Sequence, residues 1–137
     1  VLDVIQATDY ILPAIEVVDS RIKDWKITLA DTIADNASSA FYVLGGKPKK
    51  LDEVNLELLG MVLSKNGEIV NTGVGAAALG NPLNCVAWLA NRLADFDISL
   101  QAGEVILSGA LSAAVDAVEE DSFVARFAHL GEVSVHF

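Results

Sequence analysis

The sequence predicts an α+β fold or a β-rich roll with a few helices, and three observations carry that expectation. Strand-like segments outnumber helical ones and do not alternate regularly with them, which disfavours a doubly wound parallel sheet. Asn66-Gly67 lies between two apolar runs, Leu59–Leu63 and Ile69–Thr72, and suits the positive φ angles of a type I′ hairpin turn. Asn81-Pro82 opens the clearest helical stretch, with Asn as N-cap and Pro at the first helical position.

In chain order, Val1–Tyr10 reads as the last turns of a helix, with apolar residues at 1, 2, 4 and 5 and again at 10 and 11. Ile11–Ser20 follows as a strand: Pro13 is tolerated near its start, and Ile15, Val17 and Val18 supply β-branched character. Arg21–Trp25 is polar and irregular, Ile27–Ala40 a short helix or turn, and Phe41–Leu44 a strand that stops at Gly45-Gly46. After a basic loop, Lys47–Lys50, comes the hairpin. In the helix behind Asn81-Pro82, Leu83, Val86, Ala87, Ala90, Leu93 and Ala94 form one apolar stripe, with Arg92 and Asp95 off it. Short strands are expected at Glu104–Leu107, Ser122–Phe127 and Val133–Phe137, with Gly103 and Gly131 in the turns before the first and last.

At 137 residues the chain suits one domain, spanning 1–137. Its 53% hydrophobic content and mean hydropathy of +0.44 are high, yet no apolar run reaches the roughly 18 residues of a membrane span. The surplus implies a large core or surface buried against something else. Nine Lys and Arg against nineteen Asp and Glu give a net charge of −10, which argues against nucleic acid and anionic membrane surfaces as partners. An anionic small substrate is still admissible, because a metal ion reverses the local field of a carboxylate-lined site. The single cysteine, Cys85, excludes an internal disulfide, suits a reducing cytoplasm, and reads as a packed thiol rather than a nucleophile. Val1-Leu2-Asp3-Val4 reads as mid-chain sequence, so the chain is expected to be a fragment.

No P-loop, paired CxxC, HExxH or GxSxG is present. His129 and His136 read as solvated or core histidines rather than a metal pair. Glu16 interrupts an apolar strand and shares a face with Ala14, Val18 and Ser20. If both faces are buried, its carboxylate costs several kcal/mol unless paired or metal-bound; on an edge strand it rests in water or beside a base. Asp35-Asn36-Ala37-Ser38-Ser39 offers a compact set of donors and acceptors. It either binds a substrate carboxylate or caps a helix in an Asx-turn. Ser108–Ser112 is a third polar edge, equally open.

Leu12–Arg21, Asp24-Trp25-Lys26, Ala34–Ser39, Ala78–Asn84, Val86–Asn91, Val105–Leu111 and Leu130–Val135 strongly resemble the 2-keto-4-pentenoate hydratases, block by block and in order. The wider group is the fumarylacetoacetate-hydrolase superfamily, and the resemblance implies its mixed β-roll C-terminal domain. It also implies that Glu16 is the third carboxylate of a magnesium or manganese site. The other two ligands, a Glu-x-Glu pair, and the family's acid–base lysine and aspartate lie upstream of this chain in the family. The catalytic residues are therefore not expected here, whereas Asn36, Ser38 and Ser112 are candidates for holding substrate oxygens.

The implied reaction adds water to 2-hydroxypenta-2,4-dienoate, giving 4-hydroxy-2-oxopentanoate, a step of meta-cleavage aromatic catabolism in the cytoplasm. The implied partners are a small anionic 2-hydroxydienoate or 2-oxo acid, further copies in a homo-oligomer, and a related decarboxylase. A 2-oxo-3-hexenedioate decarboxylase is the nearest alternative; Asn81-Pro82-Leu83-Asn84 followed by Val86-Ala87-Trp88-Leu89 looks more like the hydratase branch. An acylpyruvate or fumarylacetoacetate-type hydrolase comes third, and a non-catalytic truncated subunit is the competing reading of a different class.

Overall fold

The structure, a computed structural model, describes residues 1–137. Its elements run α1 (Leu2–Ala7), β1 (Ala14–Val18), α2 (Leu29–Ala34), β2 (Ser39–Leu44), β3 (Gly60–Lys65), β4 (Glu68–Val74), α3 (Pro82–Ala94), β5 (Ser122–Phe127) and β6 (Gly131–His136). They form a two-stranded ribbon, β1–β2, and a four-stranded sheet in the order β4-β3-β5-β6, antiparallel throughout. The α+β expectation holds.

Register follows the side-chain chemistry. Met61, Leu63 and Lys65 stand opposite Phe127, Ala125 and Phe123, which in turn oppose Gly131, Val133 and Val135. One face of the sheet therefore carries Met61, Phe123, Ala125 and Val133, all buried, and the other carries Ser64, Arg126, Glu132 and Ser134. Burying each large apolar chain of this set contributes roughly 1.5–3 kcal/mol. Phe137 adds an edge-on ring against Phe123, centroids 5.8 Å apart. The ribbon packs on this sheet beside β6. Gly45 makes that approach feasible: a Cβ there would collide with the Glu132 carbonyl and the Val133 side chain.

The β3–β4 turn is as the sequence predicts, with Asn66 and Gly67 at φ 52° and 88°. The Asn66 side chain also ties the turn to β5, donating to Asp121 at 2.8 Å and accepting from the Ser122 N–H at 2.8 Å. In α3 the Asn81 side chain accepts from the Leu83 N–H at 3.0 Å and Pro82 occupies the first turn. Leu83, Val86, Ala87, Ala90 and Leu93 are half-buried, whereas Ala94 is exposed. Arg92 and Asp95 pair at 2.7 Å on the solvent side. The short α2 begins in a reciprocal cap between Thr28 and Asp31.

Three expectations need correction. Ile11–Ser20 is strand only over Ala14–Val18, with a single bridge from Ile11 to Lys49, because the register slips at Val17/Val18 and the chain turns away. The initial helix ends at Ala7 rather than Tyr10. Glu104–Leu107 is no strand: left-handed glycines bracket it at Gly103 and Gly109, and no neighbouring edge supplies a ladder. Its apolar residues line a hollow shared with Leu89 of α3 and Tyr42, with Val105 and Leu107 exposed. No helix is long and apolar enough to cross a membrane.

Candidate functional site

Strand β1 positions Glu16. In the β1–β2 ladder Glu16 lies directly opposite Tyr42, with Ala14 opposite Leu44, so these two pairs share one face of the ribbon. Glu16 is exposed, and its side chain forms no ion pair or hydrogen bond with the rest of the chain. The edge-strand geometry thus removes the desolvation cost that two buried faces would have imposed. Tyr42 lines a hollow of 360 Å³ with Leu89, Leu100, Glu104, Val105, Ile106 and Leu107. An adjoining hollow of 270 Å³ shares Leu89, Ile106 and Leu107, and is bounded by Trp88 and Cys85 of α3. An exposed carboxylate beside an apolar recess is an arrangement that suits a short carbon chain with an anionic head.

As a metal ligand Glu16 stands alone, since no three His, Cys, Asp or Glu side chains converge anywhere in the chain. A free hard-oxygen donor fits one position of a magnesium-type site, which draws its remaining ligands from further carboxylates, waters and substrate oxygens. His129 and His136 stand at opposite ends of the β5–β6 hairpin and do not form a metal pair. The His136 Nδ1 lies 2.9 Å from the Ser122 hydroxyl.

Asn36 and Ser38 come together at the other end of β1. The Asp19 N–H donates to the Ser38 carbonyl at 2.8 Å, which holds their turn against the strand. Asn36, Ala37 and Ser38 have φ of 52°, 55° and 57°, three successive side-chain-bearing residues in the left-handed region. Each costs of order 1–2 kcal/mol unless its surroundings compensate. Compensation comes from Asp35, only 8% exposed. Its Oδ2 accepts from the Ser38 hydroxyl at 3.0 Å, the Ser20 hydroxyl at 3.1 Å and the Arg21 N–H at 3.2 Å, and its Oδ1 pairs with the Arg21 Nε at 3.2 Å. Burial pushes the Asp35 carboxyl up, but the bonds from Ser38, Arg21 and Ser20 together with the Arg21 charge outweigh it, and the group is held below the usual carboxylate range.

The candidates therefore divide. Ser38 is 2% exposed and turns its hydroxyl inward to Asp35, whereas Asn36 is exposed. Ser112 is not brought to either: its neighbours run along β4, where Asn71 donates to the Ala113 carbonyl at 2.9 Å, and its own hydroxyl reaches that carbonyl at 3.3 Å. Arg21 and Tyr42 escaped the sequence reading. Only strand alternation, which puts position 42 across from Glu16 once the β1–β2 register is known, could have found the second.

The fold and this site define an antiparallel ribbon and sheet that present a free carboxylate opposite Tyr42, whose side chain lines a largely apolar hollow. Residues 2–137 match the fumarylacetoacetate (FAA) hydrolase C-terminal family, and the chain belongs to it. It is 50% identical over 135 residues to a 2-keto-4-pentenoate hydratase of Paraburkholderia xenovorans (strain LB400), covering 98% of this chain and 50% of that protein. A 2-hydroxyhexa-2,4-dienoate hydratase of Comamonas testosteroni is 44% identical, with coverage of 98% and 51%. The solved structure of 4-oxalocrotonate decarboxylase from Pseudomonas putida G7, complexed with magnesium and adipate, superposes with a TM-score of 0.94 at 46% identity, covering 98% of this chain and 51% of that one. The chain spans about half the length of the curated relatives it matches.

Proposed function

We propose that this chain is the C-terminal part of a divalent-metal-dependent hydratase that adds water to 2-hydroxypenta-2,4-dienoate to give 4-hydroxy-2-oxopentanoate. The observation that carries the reading is the unpaired Glu16 carboxylate across from Tyr42, which lines a hollow of 360 Å³ with room for a short carbon chain. The hydratase names of relatives at 44–50% identity support it, and the magnesium bound by the decarboxylase relative supports a divalent cation, magnesium or manganese.

Within that reading Glu16 is one of three carboxylate ligands, the others being supplied from outside residues 1–137. When bound, the cation supplies positive charge beside the oxygens of a 2-oxo acid, which favours enolate character and offsets the chain's net charge of −10. Leu89, Val105, Ile106 and Leu107 offer apolar surface to the carbon chain. Asn36 and Ser38 belong to the substrate side, the first by contact and the second through Asp35; Ser112 has the weakest claim. The complete protein is proposed to be a cytoplasmic homo-oligomer of aromatic catabolism, associating with a related decarboxylase.

The test is turnover of 2-hydroxypenta-2,4-dienoate by the complete protein, followed at the dienol absorbance with and without magnesium. Magnesium-dependent loss of the dienol with formation of 4-hydroxy-2-oxopentanoate is expected. The similarity to 4-oxalocrotonate decarboxylase favours a second reading, decarboxylation of 2-oxo-3-hexenedioate. Carbon dioxide release from that diacid, without dienoate hydration, would establish it instead.

A further inference from the structure

We infer that Asp35 is a positioning residue for substrate, acting through Asn36; the inference rests on the proposed substrate class. Four donors from two separate segments converge on its carboxylate: Ser20 and Arg21 at the exit of β1, and Ser38 before β2. Backbone bonds from the Asp19 N–H to the Ser38 carbonyl and from the Ser38 N–H to the Asp35 carbonyl close the turn, and the Asp35 side chain supplies its side-chain bonds, across three successive left-handed residues, none of them glycine. Ser38 points inward, so the amide that the turn offers to solvent is that of Asn36.

Arg21, which by charge alone would suit an anionic substrate, makes one bond from each guanidinium nitrogen within the chain. Its Nε meets Asp35, its Nη1 donates to the Asp19 carbonyl and its Nη2 to the Ser39 carbonyl, both at 2.8 Å. The same arginine locks β1 to the start of β2 and so fixes the turn relative to Glu16 on the same strand. Asn36, with two amide donors and no partner of its own, is left to meet a substrate oxygen. A carboxylate is needed at position 35 because one oxygen must accept three donors while the other faces a cation.

The experiment uses the complete protein, loaded with magnesium, and 2-oxopentanoate, a saturated 2-oxo acid that cannot be hydrated. Asp35→Ala is expected to weaken 2-oxopentanoate binding about tenfold and to raise the KM for the dienoate in proportion, since small displacements of a binding group are costly. Magnesium affinity, measured by calorimetry without the acid, should stay within about twofold, because Glu16 is untouched. Asp35→Asn keeps one oxygen for Ser20, the Arg21 N–H and Ser38 but turns a donor toward the Arg21 Nε, so it should restore only part of the binding. Asn36→Ala should weaken binding comparably and add little on top of Asp35→Ala, as expected for residues acting as one unit.

Should Asp35→Ala fail to fold, Ser38→Ala removes one donor from the knot and carries the same comparison with Asn36→Ala. Wild-type affinity in Asp35→Ala, or in Ser38→Ala where that stands in, would overturn the inference. So would fully additive losses with Asn36→Ala, or equal losses of magnesium and acid binding. Because 2-oxopentanoate binding needs no turnover, absence of dienoate hydration would defeat the hydratase reading and leave this readout intact.

Discussion

Glu16 and Tyr42 face each other across the β1–β2 ladder as direct partners, so their Cβ atoms stand about 5 Å apart on one side of the ribbon. The carboxylate and Tyr42 are thereby fixed by backbone pairing, whereas the rest of the recess wall comes from α3 and the irregular stretch 100–107. A strand scaffold of this kind holds a ligating group with little loss of side-chain freedom on binding.

Glu16→Gln in the complete protein is expected to abolish magnesium-dependent turnover while leaving thermal unfolding close to wild type, because the exposed side chain supports no packing. Calorimetric titration with magnesium and the turnover assay check it together. Near-normal affinity and activity in the variant would reject the metal-ligand assignment.

Residues 1–137 alone are expected to bind magnesium weakly, to show no hydration activity, and to self-associate. One carboxylate is too few for a tight site. Leu29 and Ile33, on one face of α2, are 77% and 71% exposed, and Phe41, Tyr42 and Trp88 are exposed as well. Sedimentation and urea unfolding of this segment and of the complete protein are the measurements. A monomeric, cooperatively folded segment that hydrates the dienoate would show that the site is built from this chain alone.

Asp121 should make the fold acid-sensitive. Hydrogen bonds from Lys65, the Val118 N–H and Asn66 lower its carboxyl from 3.8 to about 2. A folded value below the unfolded one stabilises the protein above the unfolded value, and that contribution is lost as pH falls from 3.8 toward about 2. Asp121→Asn should therefore lower the urea midpoint at neutral pH and flatten the acid limb across that window. Parallel acid limbs for variant and wild type would contradict the role given to Asp121.

Gly45→Ala and Gly60→Ala form a paired test of how the ribbon sits on the sheet. At Gly45 the added methyl meets the Glu132 carbonyl and Val133, so a loss on the order of 1–3 kcal/mol or more is expected. At Gly60 nothing lies within 4 Å, and the change should stay within about 0.5 kcal/mol. Equal urea midpoints for the two variants would mean that the close approach beside β6 is wrong.

Local chemistry made much of the fold legible. Asn66-Gly67 and Asn81-Pro82 carry their turn and cap in the residues themselves, and both appear where the sequence places them. Val105-Ile106-Leu107 misled because β-branched composition marks a pleated, half-buried surface and not the presence of a pairing edge. The site divides in the same way. Glu16 was visible as a charge in an apolar strand, and Asp35–Ser39 as a polar cluster. That Ser38 faces inward, that Arg21 is locked, and that Tyr42 opposes Glu16 depend on the β1–β2 register, which no single segment contains.

The order β4-β3-β5-β6 has a kinetic consequence. β3–β4 and β5–β6 are each local hairpins, and such units form in about 1–10 μs. The seam between them is not local: Asn66 and Ser122, which clasp it, are 56 residues apart, with α3 and the irregular stretch after it in between. Closing that loop precedes the gain from pairing β3 with β5, so the two hairpins should be preformed partners and their docking the slow step. Substitutions along the seam, at Met61 or Ala125, then act mainly on the folding rate, whereas those in the β1–β2 ribbon act mainly on unfolding.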